Sequence, residues 1–213
     1  MTKYPVITIS REYGSGGREI GRKLAEQLGV PFYDYEIISI AAKDSGYSEE
    51  LFKKADKKAT NSFLYSMSLI GTSGPYNMPL NDKLFLIQSS IIRTIADQGP
   101  CVIVGRCSDY VLKDYTKCIN VFIYADMASK IKTVMERKSI SEKSAAELVI
   151  KTDKCRATYY TYYSDQKWGD ILNHDICINS SRVGIDNTVS MLKTFVEQAL
   201  GDELTEAKKA LIK

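Results

Sequence analysis

The sequence predicts a three-layer α/β fold in which a parallel β-sheet lies between two layers of helices. Short apolar runs alternate with longer segments whose apolar residues recur at helical spacing. Two of the runs, CVIV at 101–104 and CINVFIY at 118–124, are almost continuously apolar, as strands buried on both faces of a parallel sheet are. Ligands of such sheets bind beyond the carboxyl ends of the strands, so functional residues are expected there.

Length and charge restrict the class of protein. A chain of 213 residues is long enough for one domain with a sizeable core. The formal net charge of +3 is low for a nucleic-acid-binding protein, which usually carries a denser basic stripe. No apolar run approaches the ~18–20 residues of a membrane span, and the first ten residues do not predict a signal peptide. We therefore expect a cytoplasmic protein that binds neither nucleic acid nor a membrane.

Cysteine and histidine usage limits the metal chemistry. The five cysteines are odd in number and form no Cys-x-x-Cys pair, which indicates reduced thiols. His174 is the only histidine, so no His/Cys metal site can be assembled. We predict no metal site built by the protein alone; a metal is expected only as a hard ion that arrives with phosphate.

Five segments have the composition of strands and are separated by segments with helical periodicity. The predicted strands are residues 4–10, 30–33, 101–104, 118–124 and 175–179. One helix should run from the glycine-rich turn at 14–17 to about Leu28. The last should follow the final strand and bury Ile185, Val189, Leu192 and Val196.

The middle of the chain is predicted to be mostly helical. Residues 35–99 contain a stripe of apolar residues at Leu84, Ile87, Ile91 and Ile95, but Gly and Pro at 71–79 prevent one continuous helix. Asp126 and Ser141 are predicted N-caps, the second for a long helix that ends near Tyr163. Residues 201–213 form a charged tail for which we predict little order.

The stretch ITISREYGSGGREIGRKLAEQLG predicts a phosphate site. Glycines allow successive backbone N–H groups to converge, and the start of the following helix adds a partial positive charge. The standard motif G-x-x-x-x-G-K-[ST] nevertheless fails in both registers. With Gly16 as the second glycine, Arg11 takes the first glycine position and Gly17 the lysine position; with Gly17 instead, Arg18 and Glu19 replace the lysine and the hydroxyl residue. A turn that binds no ligand is the alternative.

The chain resembles the cytidylate kinase-like family, a branch of the P-loop nucleoside monophosphate kinases. The resemblance covers Val6 to about Leu192 and rests on the stretch just quoted, on VPFYDYEII, VIVGRCSDYVL and KTDKCRATYYTYYSDQKWGD, and on the closing CINSSRVGI. It implies a three-layer P-loop NTPase fold in residues 1–200, with an acceptor-binding lobe at 35–99 and a lid region at 137–170. It also implies ATP and Mg²⁺ as cofactors and small-molecule nucleotides as partners.

The resemblance assigns the donor side of the site to the glycine-rich turn. Gly14, Ser15, Gly16 and Gly17 are expected to hold the donor phosphates, with Arg18 supplying the charge of the missing lysine. True cytidylate kinases carry G-K-G-T where this chain has Gly16-Gly17-Arg18-Glu19. Glu19 is interpreted either as a Mg²⁺ ligand or as an acidic residue favoured by the helix dipole, and the dipole is preferred.

On the acceptor side, Arg106 follows a buried strand and is expected to bind the acceptor phosphate. Related kinases have Gly-Arg-Asp at this place; here Cys107 replaces the aspartate, and Asp109 is the nearest carboxylate. A surface pair between Arg106 and Asp109 is the alternative. Asp34 corresponds to the entrance of the nucleotide lobe, although an N-cap for the next helix explains it nearly as well.

Two arginines are candidates for closing the site. Arg137 ends a helix where related kinases carry a lid arginine, but a cation that stabilises the helix terminus is an equal explanation. Arg156 and Asp153 share a face of the long helix. Arg156 would neutralise charge on the transferring group while Asp153 orients it, and an exposed ion pair without function is the alternative.

Together these residues predict a phosphotransferase that moves the γ-phosphoryl group of ATP to a small phosphorylated acceptor, a nucleoside monophosphate such as CMP. Two alternatives remain open. The missing lysine favours a nucleotide sensor that transfers nothing, and the unfamiliar 35–99 segment would allow a kinase of another small metabolite. The oligomeric state cannot be predicted.

Overall fold

A computed structural model of the chain describes residues 4–34 and 78–211, together with isolated positions between 37 and 50. Within these residues, one parallel sheet has the strand order β2-β3-β1-β4-β5. The strands are β1 (Val6–Arg11), β2 (Phe32–Tyr33), β3 (Cys101–Val104), β4 (Cys118–Tyr124) and β5 (Ile176–Asn179). The sequence predicted all five segments, with boundaries that differ by at most two residues.

Helices follow the strands and cover both faces of the sheet. They are α1 (Gly17–Leu28), α2 (Leu80–Gln98), α3 (Ser108–Val111), α4 (Met127–Lys138), α5 (Glu142–Ser164), α6 (Ser180–Val183), α7 (Ile185–Leu200) and α8 (Asp202–Leu211), with a 3₁₀ turn at Ile171–Asn173. No helix in the described ranges is both long and apolar enough to cross a membrane.

The core lies on the two faces of the sheet because successive strand residues point in opposite directions. On one face, Ile7 and Ile9 pack against the apolar sides of α1 and α7. On the other, Val6 and Ile103 pack against α2. This arrangement confirms the predicted three-layer α/β fold.

A smaller apolar cluster joins α4 and α5 to the loop after β1. Val134, Ala145 and Val149 are fully buried at its centre, and Tyr13 packs against them. Helices α4 and α5 therefore pack against the loop that contains Tyr13.

Most helix predictions agree with the structure where it describes the chain. In α2 the predicted stripe is buried at Leu84, Ile91 and Ile95. Ser141 caps α5 by accepting a hydrogen bond from the backbone N–H of Ser144. The predicted lobe between 51 and 77, including most of the break at 71–79, lies outside the described residues.

Two local predictions are wrong. Asp126 occupies the N-cap position of α4, but its carboxylate accepts a hydrogen bond from Asn179 Nδ2 (3.0 Å) instead of capping the helix. The charged tail is also ordered: α8 buries Leu204 and Ala207, which lie three residues apart and therefore on one face of the helix. Leu204 packs against the same cluster as α7.

Candidate active site

The glycine-rich loop, residues 12–17, connects β1 to α1 and turns back on itself. Gly14 and Gly16 have φ angles of 87° and 77°, a left-handed conformation that favours glycine. Ser15 holds the turn closed, since its Oγ donates to the carbonyl of Glu12 (2.8 Å) and accepts from the N–H of Gly17 (3.4 Å). Helix α1 begins at Gly17 without a side-chain cap. Backbone N–H groups at a helix start form a cradle for an anion.

A cavity of about 530 Å³ opens over this loop. The start of α1 forms its floor, α4 and Arg156 form one wall, and the residues between β5 and α7 form another. Most of the predicted site residues line it: Gly14, Ser15, Gly16, Gly17, Arg18, Glu19, Arg137 and Arg156.

Arg137 of α4 and Arg156 of α5 converge on one residue of the loop. Their guanidinium carbons lie 4.8 Å and 5.5 Å from the centre of the Tyr13 ring. Arg156 also donates from Nη1 to the carbonyl oxygen of Arg11 (2.8 Å). Two positive side chains are thus held beside the anion cradle, and cation–π contact with the tyrosine contributes to their placement.

Asp153 contacts the glycine-rich loop and Lys130. Its Oδ1 accepts from the backbone N–H of Tyr13 (2.6 Å), and its Oδ2 accepts from Lys130 Nζ (3.0 Å). The carboxylate therefore fixes the loop and Lys130, and its role in orienting Arg156 stays a prediction.

Lys130 lies between two carboxylates beneath the loop. Its Nζ contacts Glu12 Oε2 at 2.9 Å and Asp153 Oδ2 at 3.0 Å, and only 6% of the side chain is exposed. Burial lowers the pKa of Lys130, but the hydrogen bonds to Glu12 and Asp153 outweigh it, so the pKa lies above its ordinary value. Because two negative charges surround one positive charge, the cluster supplies no positive charge to the cavity. It locks the loop to α4 and α5.

Arg18, predicted to replace the lysine charge, is engaged by Asp34. Its Nε donates to Oδ2 of that carboxylate, and Arg11 Nη2 lies 3.9 Å from Oδ1. Asp34 is buried, while the Arg18 side chain is 59% exposed. The structure thus places Asp34 between two guanidinium groups at the end of β2, where it can position both.

The acceptor-side residues are only partly brought together. Gly105, Arg106 and Cys107 all have positive φ angles, which turns the chain sharply at the end of β3. Arg106 lies at this turn, outside the walls of the described cavity. Asp109 is buried in α3, with His174 Nε2 at 3.7 Å from its carboxylate. The contact of Asp109 with a substrate therefore stays a prediction.

Glu19 lies half-exposed in the first turn of α1, 3.4 Å from Lys23 Nζ, and lines the cavity. Across the described parts of the chain, no three His, Cys, Asp or Glu side chains cluster in a way that could hold a metal ion. The nearby carboxylates of Glu12 and Asp153 are occupied by Lys130. The residues therefore suit a Mg²⁺ ion whose ligands are mostly phosphate oxygens and water, with Glu19 as the one carboxylate at the helix start.

Sequence reasoning missed three contributors to the site. Arg11 was visible only as a departure from the motif, and its place beside Gly17 and Asp34 depends on the fold. Nothing in the sequence marks Lys130 as a buried cation. Ser180 donates to the carbonyl of Ser15 (2.6 Å) and supports the loop from the end of β5. The resemblance at CINSS included it, but without a role.

The strand order and the loop between β1 and α1 define the class of protein: a P-loop kinase fold. Solved structures with this fold include a shikimate kinase from Bacteroides thetaiotaomicron (TM-score 0.53, 15% identity, 91% of this chain and 98% of that one). A gluconokinase from Sinorhizobium meliloti is similar at TM-score 0.50 and 12% identity, over 100% and 98% of the two chains. At these identities the likeness concerns the fold.

A sequence model of the cytidylate kinase-like family matches residues 6–182, and the chain belongs to that family. A cytidylate kinase from Methanosarcina acetivorans is 24% identical over 198 residues, covering 92% of this chain and 99% of that protein. A crystal structure of an uncharacterized protein from Eubacterium ventriosum is similar at 30% identity and TM-score 0.68, over 91% of this chain and 98% of that one. The family and the fold are those of nucleotide and small-molecule kinases.

Proposed function

We propose that this protein transfers the γ-phosphoryl group of ATP to a nucleoside monophosphate, with CMP as the first acceptor to test. The observation that carries the proposal is the convergence of Arg137 and Arg156 on Tyr13, over a loop that presents backbone N–H groups to an anion. Phosphoryl transfer needs little covalent chemistry from a protein; it needs positioned reactants and fixed positive charge. The five free cysteines support a reducing compartment, the cytoplasm, as its place of action.

The residues that line the cavity have different proposed roles. Backbone N–H groups of Gly14 to Gly17 hold the donor phosphates, with Arg18 and Glu19 at the start of α1 beside them. Arg137 and Arg156 approach from the opposite wall, where they stabilise the charge that develops on the transferring group. Mg²⁺, when bound with ATP, neutralises charge on the β- and γ-phosphates.

The acceptor is proposed to enter from the side of β2 and β3. Arg106 follows β3 and would bind the acceptor phosphate, and Asp34 at the end of β2 would hold Arg18 and Arg11 toward that side. The phosphoryl group then passes to an acceptor phosphate oxygen, which leaves ADP and a nucleoside diphosphate. The cytidylate kinase names of the curated relatives support CMP as acceptor.

A nucleotide sensor is the second candidate, because position 17 carries glycine in place of the lysine that takes part in transfer. Labelled ATP incubated with Mg²⁺ and a panel of acceptors, CMP, UMP, AMP, GMP, shikimate and gluconate, separates the alternatives. We expect label in CDP above every other product. Label only in a non-nucleotide product would show a different metabolite kinase, and ATP binding without any labelled product would show a sensor.

A further inference from the structure

Arg11 and Gly17 exchange the residue types that the standard phosphate-binding motif has at these two places. When Gly16 is read as the second glycine of G-x-x-x-x-G-K-[ST], the motif requires glycine at position 11 and lysine at position 17. This chain has arginine at 11 and glycine at 17. The positive charge that is missing at position 17 is present at position 11.

Steric exclusion links the two positions. A Cβ atom on Gly17 would lie 2.5 Å from Cβ of Arg11 and 3.1 Å from its Cγ. Gly17 is the first residue of α1 and does not have a left-handed φ, so the glycine is required for space and not for backbone conformation. Because the closest contact is with Cβ, which every residue except glycine carries, a side chain at 17 needs glycine at 11, and an arginine at 11 needs glycine at 17. Ile123 Cβ, at 3.2 Å, is a looser second neighbour. The two departures from the motif are one coupled change.

The Arg11 side chain crosses the loop toward the ends of the neighbouring strands. A Cβ on Gly105 would collide with its Nη1, and its Nη2 lies 3.9 Å from Asp34 Oδ1. The side chain is 17% exposed and lines the cavity. The guanidinium thus lies between the glycine-rich loop, which would hold the donor, and the turn at Gly105, which leads to Arg106.

We propose that the Arg11 guanidinium contacts the terminal phosphate of ATP and supplies there the charge that lysine supplies in the standard motif. The inference rests on the proposed function and assigns this role to Arg11 instead of Arg18. Lys130 cannot take the role, because Glu12 and Asp153 surround it. Arg18 is much more exposed than Arg11 and hydrogen-bonds Asp34 through Nε. Asp34 is then a positioning residue that holds the Arg11 guanidinium near the cradle.

The first test compares charge at the two arginines. Arg11→Gln keeps most of the side-chain length but removes the charge, and Arg11→Lys keeps a charge. Arg93→Gln is the matched control, because Arg93 is exposed on α2 and does not line the cavity. Arg18→Gln tests the competing assignment. ATP and ADP affinities are measured by calorimetry on each full-length protein with Mg²⁺. We expect Arg11→Gln to weaken ATP binding about tenfold or more, with a smaller loss for ADP, because one charge-assisted hydrogen bond to the terminal phosphate is lost. Arg11→Lys should recover most of the ATP affinity, Arg93→Gln should leave it unchanged, and Arg18→Gln should weaken it less than Arg11→Gln does.

The second test uses the coupling itself. Arg11→Gly alone should lose ATP affinity, and Gly17→Lys alone should lower the melting temperature through the collision with Arg11. The double variant R11G/G17K should recover ATP affinity and most of the melting temperature, since only the 3.2 Å contact with Ile123 Cβ remains. If the double variant does not fold, the ATP affinities of Arg11→Gln and Arg11→Lys test the inference instead. Failure of R11G/G17K to bind ATP better than Arg11→Gly, in a folded protein, would overturn the inference.

Wild-type protein distinguishes failure of the inference from failure of the proposed function. Wild type that neither binds ATP nor transfers its phosphoryl group would overturn both. Wild type that transfers phosphate, with Arg11→Gln unchanged and Arg18→Gln impaired in ATP binding, would overturn the inference alone and give the role to Arg18.

Discussion

The backbone N–H of Tyr13 donates a 2.6 Å hydrogen bond to Oδ1 of Asp153, although the two residues are 140 positions apart in the chain. The bond joins the glycine-rich loop to α5. Asp153 also accepts from the buried Lys130, which binds Glu12 in the same loop. The loop and the lid helices are therefore held together by one buried network before any ligand arrives.

Asp153→Ala should lower the free energy of unfolding by about 1–3 kcal/mol, because it leaves the Tyr13 N–H and part of the Lys130 ammonium group without a partner. Urea denaturation measures this loss. Glu26→Ala is a control, since it removes an exposed ion pair with Arg22 and should change stability by about 0.5 kcal/mol or less. Equal effects of the two substitutions would show that the network does not stabilise the fold.

Arg156→Ala should lower the rate of phosphoryl transfer by about 10²-fold or more, while ATP affinity stays within a few fold. An interaction made mainly in the transition state affects the rate and not ground-state binding. Single-turnover transfer and calorimetry on the same protein give both quantities. Lys138→Ala is the control, because this exposed residue follows Arg137 but does not line the cavity. If Arg156→Ala greatly weakened ATP binding but did not slow transfer from bound ATP, Arg156 would act in ATP binding and not in the transition state.

Gly16→Val should abolish ATP binding in a protein that still folds. A Cβ at this position would lie 3.2 Å from Ile185 Cδ1, inside the cradle that must approach phosphate. Gly29→Val is the matched control: its φ angle of 66° is also left-handed, but a Cβ there meets no atom within 4 Å. Both substitutions should therefore lower the midpoint of urea unfolding, and only Gly16→Val should abolish ATP binding in calorimetry. Unchanged affinity in folded Gly16→Val would remove the phosphate site from this loop.

Asp109→Asn should stabilise the protein near neutral pH. Burial raises the pKa of Asp109, and the adjacent Tyr160 hydroxyl and His174 ring offset only part of this. Neither carboxylate oxygen has a hydrogen-bond partner of good geometry among the described residues. Because the folded-state pKa is raised, the cost of ionisation is absent below the unfolded-state pKa and grows as the pH rises toward the folded-state value.

The stability of Asp109→Asn relative to wild type should accordingly increase from about pH 4 toward pH 7. Thermal unfolding of both proteins across this range checks the sign. A variant less stable than wild type at pH 7 would mean that attraction between Asp109 and His174 outweighs the cost of burial.

Local sequence patterns were sufficient for the elements that position the site. The apolar run before the glycines predicted β1, and the spacing of Ile20, Leu24 and Leu28 predicted the buried side of α1. Such patterns depend on residues close in the chain. In α8 the same signal was present at Leu204 and Ala207, but the high charge of the surrounding residues obscured it.

The contacts inside the site could not be predicted in this way because they join distant segments. Glu12 and Lys130 form a hydrogen bond although they are 118 positions apart in the chain, and Ser180 and Ser15 do so at a separation of 165. The helical spacing of Asp153 to Arg156 marks it as a candidate, but its hydrogen bond with Tyr13 depends on how α5 packs on the loop. The exchange between Arg11 and Gly17 was visible as two unmatched motif positions; only the distance between their side-chain atoms shows that they are coupled.

Rapid-quench measurement of a single turnover decides whether this protein is a kinase. Wild-type protein in excess over γ-labelled ATP is mixed with Mg²⁺ and CMP, and labelled CDP is followed with time, while calorimetry gives the ATP affinity of the same preparation. A kinase converts the bound ATP to labelled CDP in one exponential phase, which Arg156→Ala slows about 10²-fold. Tight ATP binding without labelled product, with CMP or with any other acceptor of the panel, would contradict the assignment of this protein as a kinase.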